Sequence, residues 1–156
     1  MKTINFPLAY FGLILIMIFG CIDDSDNKKV KELESILVQS EVLSGEMDLQ
    51  KIINSRSHAI DLFENIENKE LLIPETYKVI GVLYFINANS DKALITLGKY
   101  IDTFPNDGEA LFYKGIILKQ KNMDYCDYIK RSKELDFERY MELMFTWNLN
   151  PKDTCL

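Results

Sequence analysis

Residues 74–107 read PETYKVIGVLYFINANSDKALITLGKYIDTFPND. Their spacing predicts two helices joined by a tight turn. Pro74 suits a first helical turn, where its missing N–H is not needed. Asn87, Ala88, Asn89 and Ser90 form a polar break, and Ser90 is placed to cap the second helix. Pro105 stops that helix. Asp107 is positioned to cap the next one.

The same period runs outward in both directions. Upstream, Val30, Leu33, Ile36 and Leu37 lie on one stripe of a helix reaching about Leu43, and Ser44-Gly45-Glu46 breaks it. Leu49, Ile52, Ile53, Ile60, Phe63 and Ile66 then make the apolar face of a helix over about 47–67. Downstream, Lys121-Asn122 interrupts the pattern before helices over about 123–136 and 137–147, and Asn148-Leu149-Asn150-Pro151 ends regular structure. Strand-like alternation is scarce, so the chain is expected to be all-α. Short loops make neighbouring helices antiparallel.

The 34 residues from 74 to 107 resemble a tetratricopeptide repeat (TPR). The resemblance is carried by Tyr77, Ile80, Gly81 and Tyr84 in the first helix, Ala93 and Leu97 in the second, and the closing Pro105. Gly81 and Ala93 are small where two helices would cross, and the larger side chains fill the space beside them. Tyr100 departs from the pattern, standing where the family prefers Ala, so packing to the next repeat is expected to be looser or shifted. A weaker unit over 108–137 keeps Leu111, Gly115 and Leu118, with Lys114 in a usually apolar place and Ser132 in a small-residue place. The helices before residue 67 keep only Ala59 and Phe63 of the pattern. The resemblance implies a TPR-like array of antiparallel helix pairs over 29–148, an α-α superhelix, with 137–147 as a C-terminal capping helix and 149–156 as a tail.

Such repeats bind a peptide or helix in a groove lined by their first helices. Carried over by position, the lining residues are Lys78, Val82, Phe85, Phe112, Ile116 and Lys119, with Glu75, Ile86, Glu109 and Gln120 beside them; the alternative is that some of them are core, covered by the N-terminal helices. The clamp that some members use for a terminal carboxylate needs Asn where this chain has Val82 and Ile116, so an apolar segment is the expected ligand.

The first 21 residues, MKTINFPLAYFGLILIMIFGC, have the form of an export signal. Lys2 makes a short positive head. The apolar run from Phe6 to Phe19 falls short of the ~20 residues a spanning helix needs. Ile18-Phe19-Gly20-Cys21 resembles a bacterial lipobox, in which Cys21 is acylated and becomes the new N-terminus. On this reading 1–20 is a signal peptide and 21–28 a flexible tether behind a lipid anchor. The acidic run at 23–26 resembles the surface-export signals of Bacteroidetes lipoproteins, and a plain solvated linker fits it equally well. The expected location is therefore the outer membrane of a cell envelope, facing either side.

The chain carries 18 basic and 24 acidic residues, a net charge of -6. That excess excludes gripping phosphates, so nucleic acid is not an expected partner. Cys126 and Cys155 remain after Cys21. In an oxidising space they can bridge, because the last helix would carry the tail back toward Cys126; free or intermolecular thiols are the alternative. His58 is the lone histidine and reads as a helix-surface residue. No metal-binding, phosphate-loop or nucleophile-elbow motif is found. The expectation is no enzyme, no cofactor and no metal, and no small-molecule substrate is evident. A protein or peptide is the expected partner, with the membrane reached only through the lipid. An inhibitor of a basic toxin or lytic enzyme is the alternative role.

Overall fold

The computed structural model describes residues 24–42, 49–150 and 155. Among them lie seven α-helices and no strand: α1 (Asp24–Val42), α2 (Leu49–Asn65), α3 (Pro74–Ile86), α4 (Ser90–Thr103), α5 (Gly108–Gln120), α6 (Cys126–Leu135) and α7 (Phe137–Thr146). A 3-10 turn at Lys69–Leu71 links α2 to α3. The helices pack as consecutive pairs, α1 on α2, α3 on α4 and α5 on α6, and each pair touches the next. The last helix, α7, lies against α5 and α6. The signal and lipid-anchor readings at 1–20 and Cys21, and the break at 44–46, fall outside the described residues.

Close crossings decide how the pairs fit. A Cβ on Gly81 would stand 2.6 Å from Cγ and 3.2 Å from the backbone N of Leu97, so only glycine lets α3 approach α4 this closely. Ala93 is fully buried in the same pair. Gly115 repeats the device one pair later, where an added Cβ would meet the Ile129 side chain at 2.7 Å. Larger residues close around these points: Leu33, Ile80, Leu97, Phe112, Ile117 and Ile129 belong to one continuous core.

Helix ends explain the turns. Three helices finish with the next-but-one residue left-handed: Ala88 after α3, Asn122 after α5 and Asn148 after α7. Each then closes with paired bonds back into the last turn, as when Asn89 N–H donates to Tyr84 O and Ala88 N–H to Phe85 O. This fold-back leaves Asn89, not the expected Ser90, as the cap of α4; its side chain accepts from the Lys92 N–H at 3.2 Å. Asp107 caps α5 as its position predicted, accepting from the Ala110 N–H at 2.9 Å.

The start of α1 departs from the expected tether at 21–28. Residues 24–28 are already helical. Asp26 is buried and accepts from the backbone N–H groups of Glu67 (2.9 Å) and Asn68 (2.7 Å) and from the Lys29 ammonium (3.1 Å). The Asn68 N–H leads in holding the Asp26 carboxyl below its ordinary range, with Lys29 and the Glu67 N–H adding to it. Lys29 also donates to the Asn65 carbonyl at the end of α2 (2.9 Å). A sequence that looks like a solvated linker is thus drawn into structure by a carboxylate meeting orphan backbone donors.

Candidate partner-binding face

The face predicted to line a groove belongs to α3 and α5. The structure brings its six residues onto these two helices but divides them by burial. Phe85, Phe112 and Ile116 are buried in the core. Val82 is half-buried against it. Lys78 and Lys119 are half-buried at opposite ends of the face.

What fills the groove is the C-terminal segment. Trp147, at the end of α7, stacks tilted on Phe85 with centroids 4.9 Å apart and meets Tyr113 edge-on at 6.1 Å. Tyr140 meets Phe112 edge-on at 5.9 Å. Tyr140, Leu143 and Met144 are all buried beneath α7. Phe85, Phe112 and Ile116 are therefore core residues, not the open floor the sequence suggests. The physical reason is that α7 carries Tyr140, Leu143, Met144 and Trp147 along one side and packs them against these residues.

The polar end of the face is equally occupied. Lys78 reaches from α3 to Asp107 (3.1 Å) and Glu109 (3.4 Å) on α5. Glu109 also accepts from Arg139 of α7 at 2.6 Å, and Arg139 pairs with Glu142 at 2.9 Å. Asp107 further accepts from the Tyr100 hydroxyl at 2.7 Å. Burial alone would push the Asp107 carboxyl up; the Ala110 N–H, the Tyr100 hydroxyl and Lys78 outweigh it and hold the carboxyl below the usual range. Burial lowers Lys78, but Asp107 and Glu109 more than reverse this and keep it charged. The network ties α3, α5 and α7 together at one end of the molecule.

Tyr100, the departure from the repeat pattern, has a defined place. It is buried, its ring stacks beside Phe104 (5.1 Å), and its hydroxyl serves Asp107. The tyrosine helps fix the cap of the next helix in place of loosening the junction. Lys114, also off-pattern, lays its ammonium over the Tyr128 ring at 4.7 Å. His58 is exposed and hydrogen-bonds Glu32 across α1 and α2 at 2.9 Å.

The Cys126 and Cys155 sulfurs lie at bonding distance, 2.01 Å, with Cα atoms 5.5 Å apart. The bridge pins the tail beyond α7 to the first turn of α6. Among the described residues no three His, Cys, Asp or Glu side chains gather as a metal site, and no helix is long and apolar enough to cross a membrane.

Of the exposed apolar residues that the packing leaves at helix ends, sequence reasoning placed Ile86 beside the groove and missed Met123 and Phe145. Ile86 at the end of α3, Met123 after α5 and Phe145 near the end of α7 are exposed at the same end of the array as Lys119. Only the seating of Tyr140, Leu143 and Met144 reveals that Phe145 points away. Comparison with protein-family models, with curated proteins and with solved structures finds no match for this chain.

Proposed function

We propose that this chain is a non-enzymatic interaction scaffold, a TPR-like array held at the outer membrane by a lipid on Cys21. The observation that carries the reading is the pair of glycine crossings, Gly81 against Leu97 and Gly115 against Ile129, in two successive helix pairs. A spacing of 34 residues between them (115 minus 81) fits one repeat stacked on another. Such stacks present surface more than chemistry.

Because α7 fills the concavity, the partner is met at the end of the array carrying Ile86, Lys119, Met123 and Phe145. Val82, the half-buried residue of the predicted face, leads toward that end. The partner contributes an apolar segment, and the acidic balance of the chain favours a partner with basic flanks.

The test is mild crosslinking in envelopes of cells expressing the full chain, followed by copurification. Wild type is expected to retain a specific envelope protein, and Ile86→Asp with Phe145→Asp is expected to lose it while helicity by circular dichroism stays unchanged. Retention of the same protein by the double variant would contradict the assignment. Capture of a secreted lytic enzyme or toxin, with growth rescued on co-expression, would favour the inhibitor role instead.

A further inference from the structure

The start of α1 fixes more than the boundary of the domain. Cys21 is three residues from Asp24, which is already helical as the first described residue of α1. Three residues span at most about 10 Å. Any lipid on Cys21 therefore enters the bilayer within about 10 Å of the folded body. Asp26 locks that start to Glu67 and Asn68, so the helix cannot peel away without stranding a buried carboxylate and two backbone donors.

Contacts identify which end of the array this is. Asp26 joins the turn at 67–68; Tyr77 donates to the Lys69 carbonyl; Lys78 reaches Asp107 and Glu109; Arg139 reaches Glu109. Arg131 donates to the Pro105 carbonyl. The start of α1 and the end of α2 thus share one end with the start of α3, the end of α4, the start of α5, the end of α6 and the start of α7. At these helix ends four large apolar side chains stand exposed: Ile73 (51%), Phe104 (38%), Leu135 (44%) and Phe137 (56%). Phe104 is partly shielded by Tyr100, and the other three are about half exposed.

We propose that this end seats directly on the phospholipid surface into which Cys21 inserts, with Ile73, Phe104, Leu135 and Phe137 entering the interface. The inference rests on the reading of Cys21 as lipidated. Large apolar side chains at an interface add to the hold of a lipid chain. Glu70, Glu75, Asp102 and Asp136 stand at the same end among Arg131 and Arg139, a mixed-charge rim without the cationic excess that anionic headgroups would attract, so zwitterionic headgroups are the matching surface. The body then has a fixed orientation, and the end bearing Ile86, Met123 and Phe145 is presented outward to a partner.

The test uses the full chain, processed in cells, extracted and reconstituted into phosphatidylethanolamine–phosphatidylcholine vesicles with brominated acyl chains. Tryptophan is placed at the near end by Phe137→Trp or at the far end by Phe145→Trp, both at exposed sites, and the signal of the native Trp147 is subtracted. The two positions differ by about 12 Å along α7, and interfacial side chains sit roughly 5–10 Å deep, so quenching at 137 is expected to exceed that at 145 by about twofold or more. Intact mass of the same sample reports acylation. Acylated protein quenched equally at both positions, or more at 145, would overturn the seating while leaving the anchor standing. Protein without fatty acid would overturn the anchor and the seating with it.

Discussion

Ala88 adopts φ 58°, a conformation in which an L side chain crowds its own carbonyl. It is tolerated because the paired bonds closing α3 require a left-handed residue there. Ala88→Gly is expected to stabilise the protein by about 0.5–1 kcal/mol, read as a rise in Tm. The other glycine contrast runs in both directions. Gly81→Ala forces a Cβ against Leu97 and is expected to cost about 1–3 kcal/mol. Gly98→Ala sits in mid-helix with nothing within 4 Å of the new atom and is expected to gain about 0.5–1 kcal/mol. Urea unfolding of the two variants side by side checks both signs. Asp107 supplies a third residue-scale expectation. Its carboxyl is held below the ordinary aspartate range, so its contribution is complete above that range and lost as pH falls through its lower folded value. Asp107→Ala removes the α5 cap and leaves Lys78 with one partner fewer, an expected loss of about 2 kcal/mol at neutral pH. Asp107→Asn keeps the cap acceptor and should lose less, and both variants should show a flatter acid branch than wild type.

At the scale of elements, sequence and structure agree at several points where a local rule decides. Pro74 begins α3, Asp107 caps α5, and Gly81 marks a crossing, because each depends on covalent geometry or on a cap within a few residues. The failures share a different cause. Asp26 looked like part of a tether because its partners, Glu67 and Asn68, lie 41 and 42 residues away. Ser90 lost the cap to Asn89 because the closure of α3 fixes which residue is half in the next helix. Phe85, Phe112 and Ile116 looked like groove lining because position within a repeat cannot tell how far a capping helix reaches. The seating of α7 gives a sharp expectation: Phe112→Ala should destabilise by about 3–5 kcal/mol, as a core truncation does, with the loss measured in chemical unfolding. An open groove would tolerate the change at nearly constant stability.

For the whole molecule, burial, charge and covalent links divide the labour. One core runs from α1 to α7. One end carries the ion-pair network of Lys78, Asp107, Glu109 and Arg139 together with the exposed Ile73, Phe104, Leu135 and Phe137, and the other carries Ile86, Met123 and Phe145. The Cys126–Cys155 bridge closes a loop of 29 residues. Its removal by Cys155→Ser is expected to cost about 3–4 kcal/mol on the loop-entropy account, visible as a lowered Tm under non-reducing conditions. A bridge of this kind belongs to an oxidising compartment, which agrees with the export reading of residues 1–20. The anchor and the location are proposals, and one measurement tests both together with the bridge. Intact mass of the protein extracted from membranes and alkylated without reduction should give a chain beginning at Cys21, carrying fatty acid and no alkylated thiol. A chain that still begins at Met1 without fatty acid, or that carries alkyl groups on Cys126 and Cys155, would contradict the account.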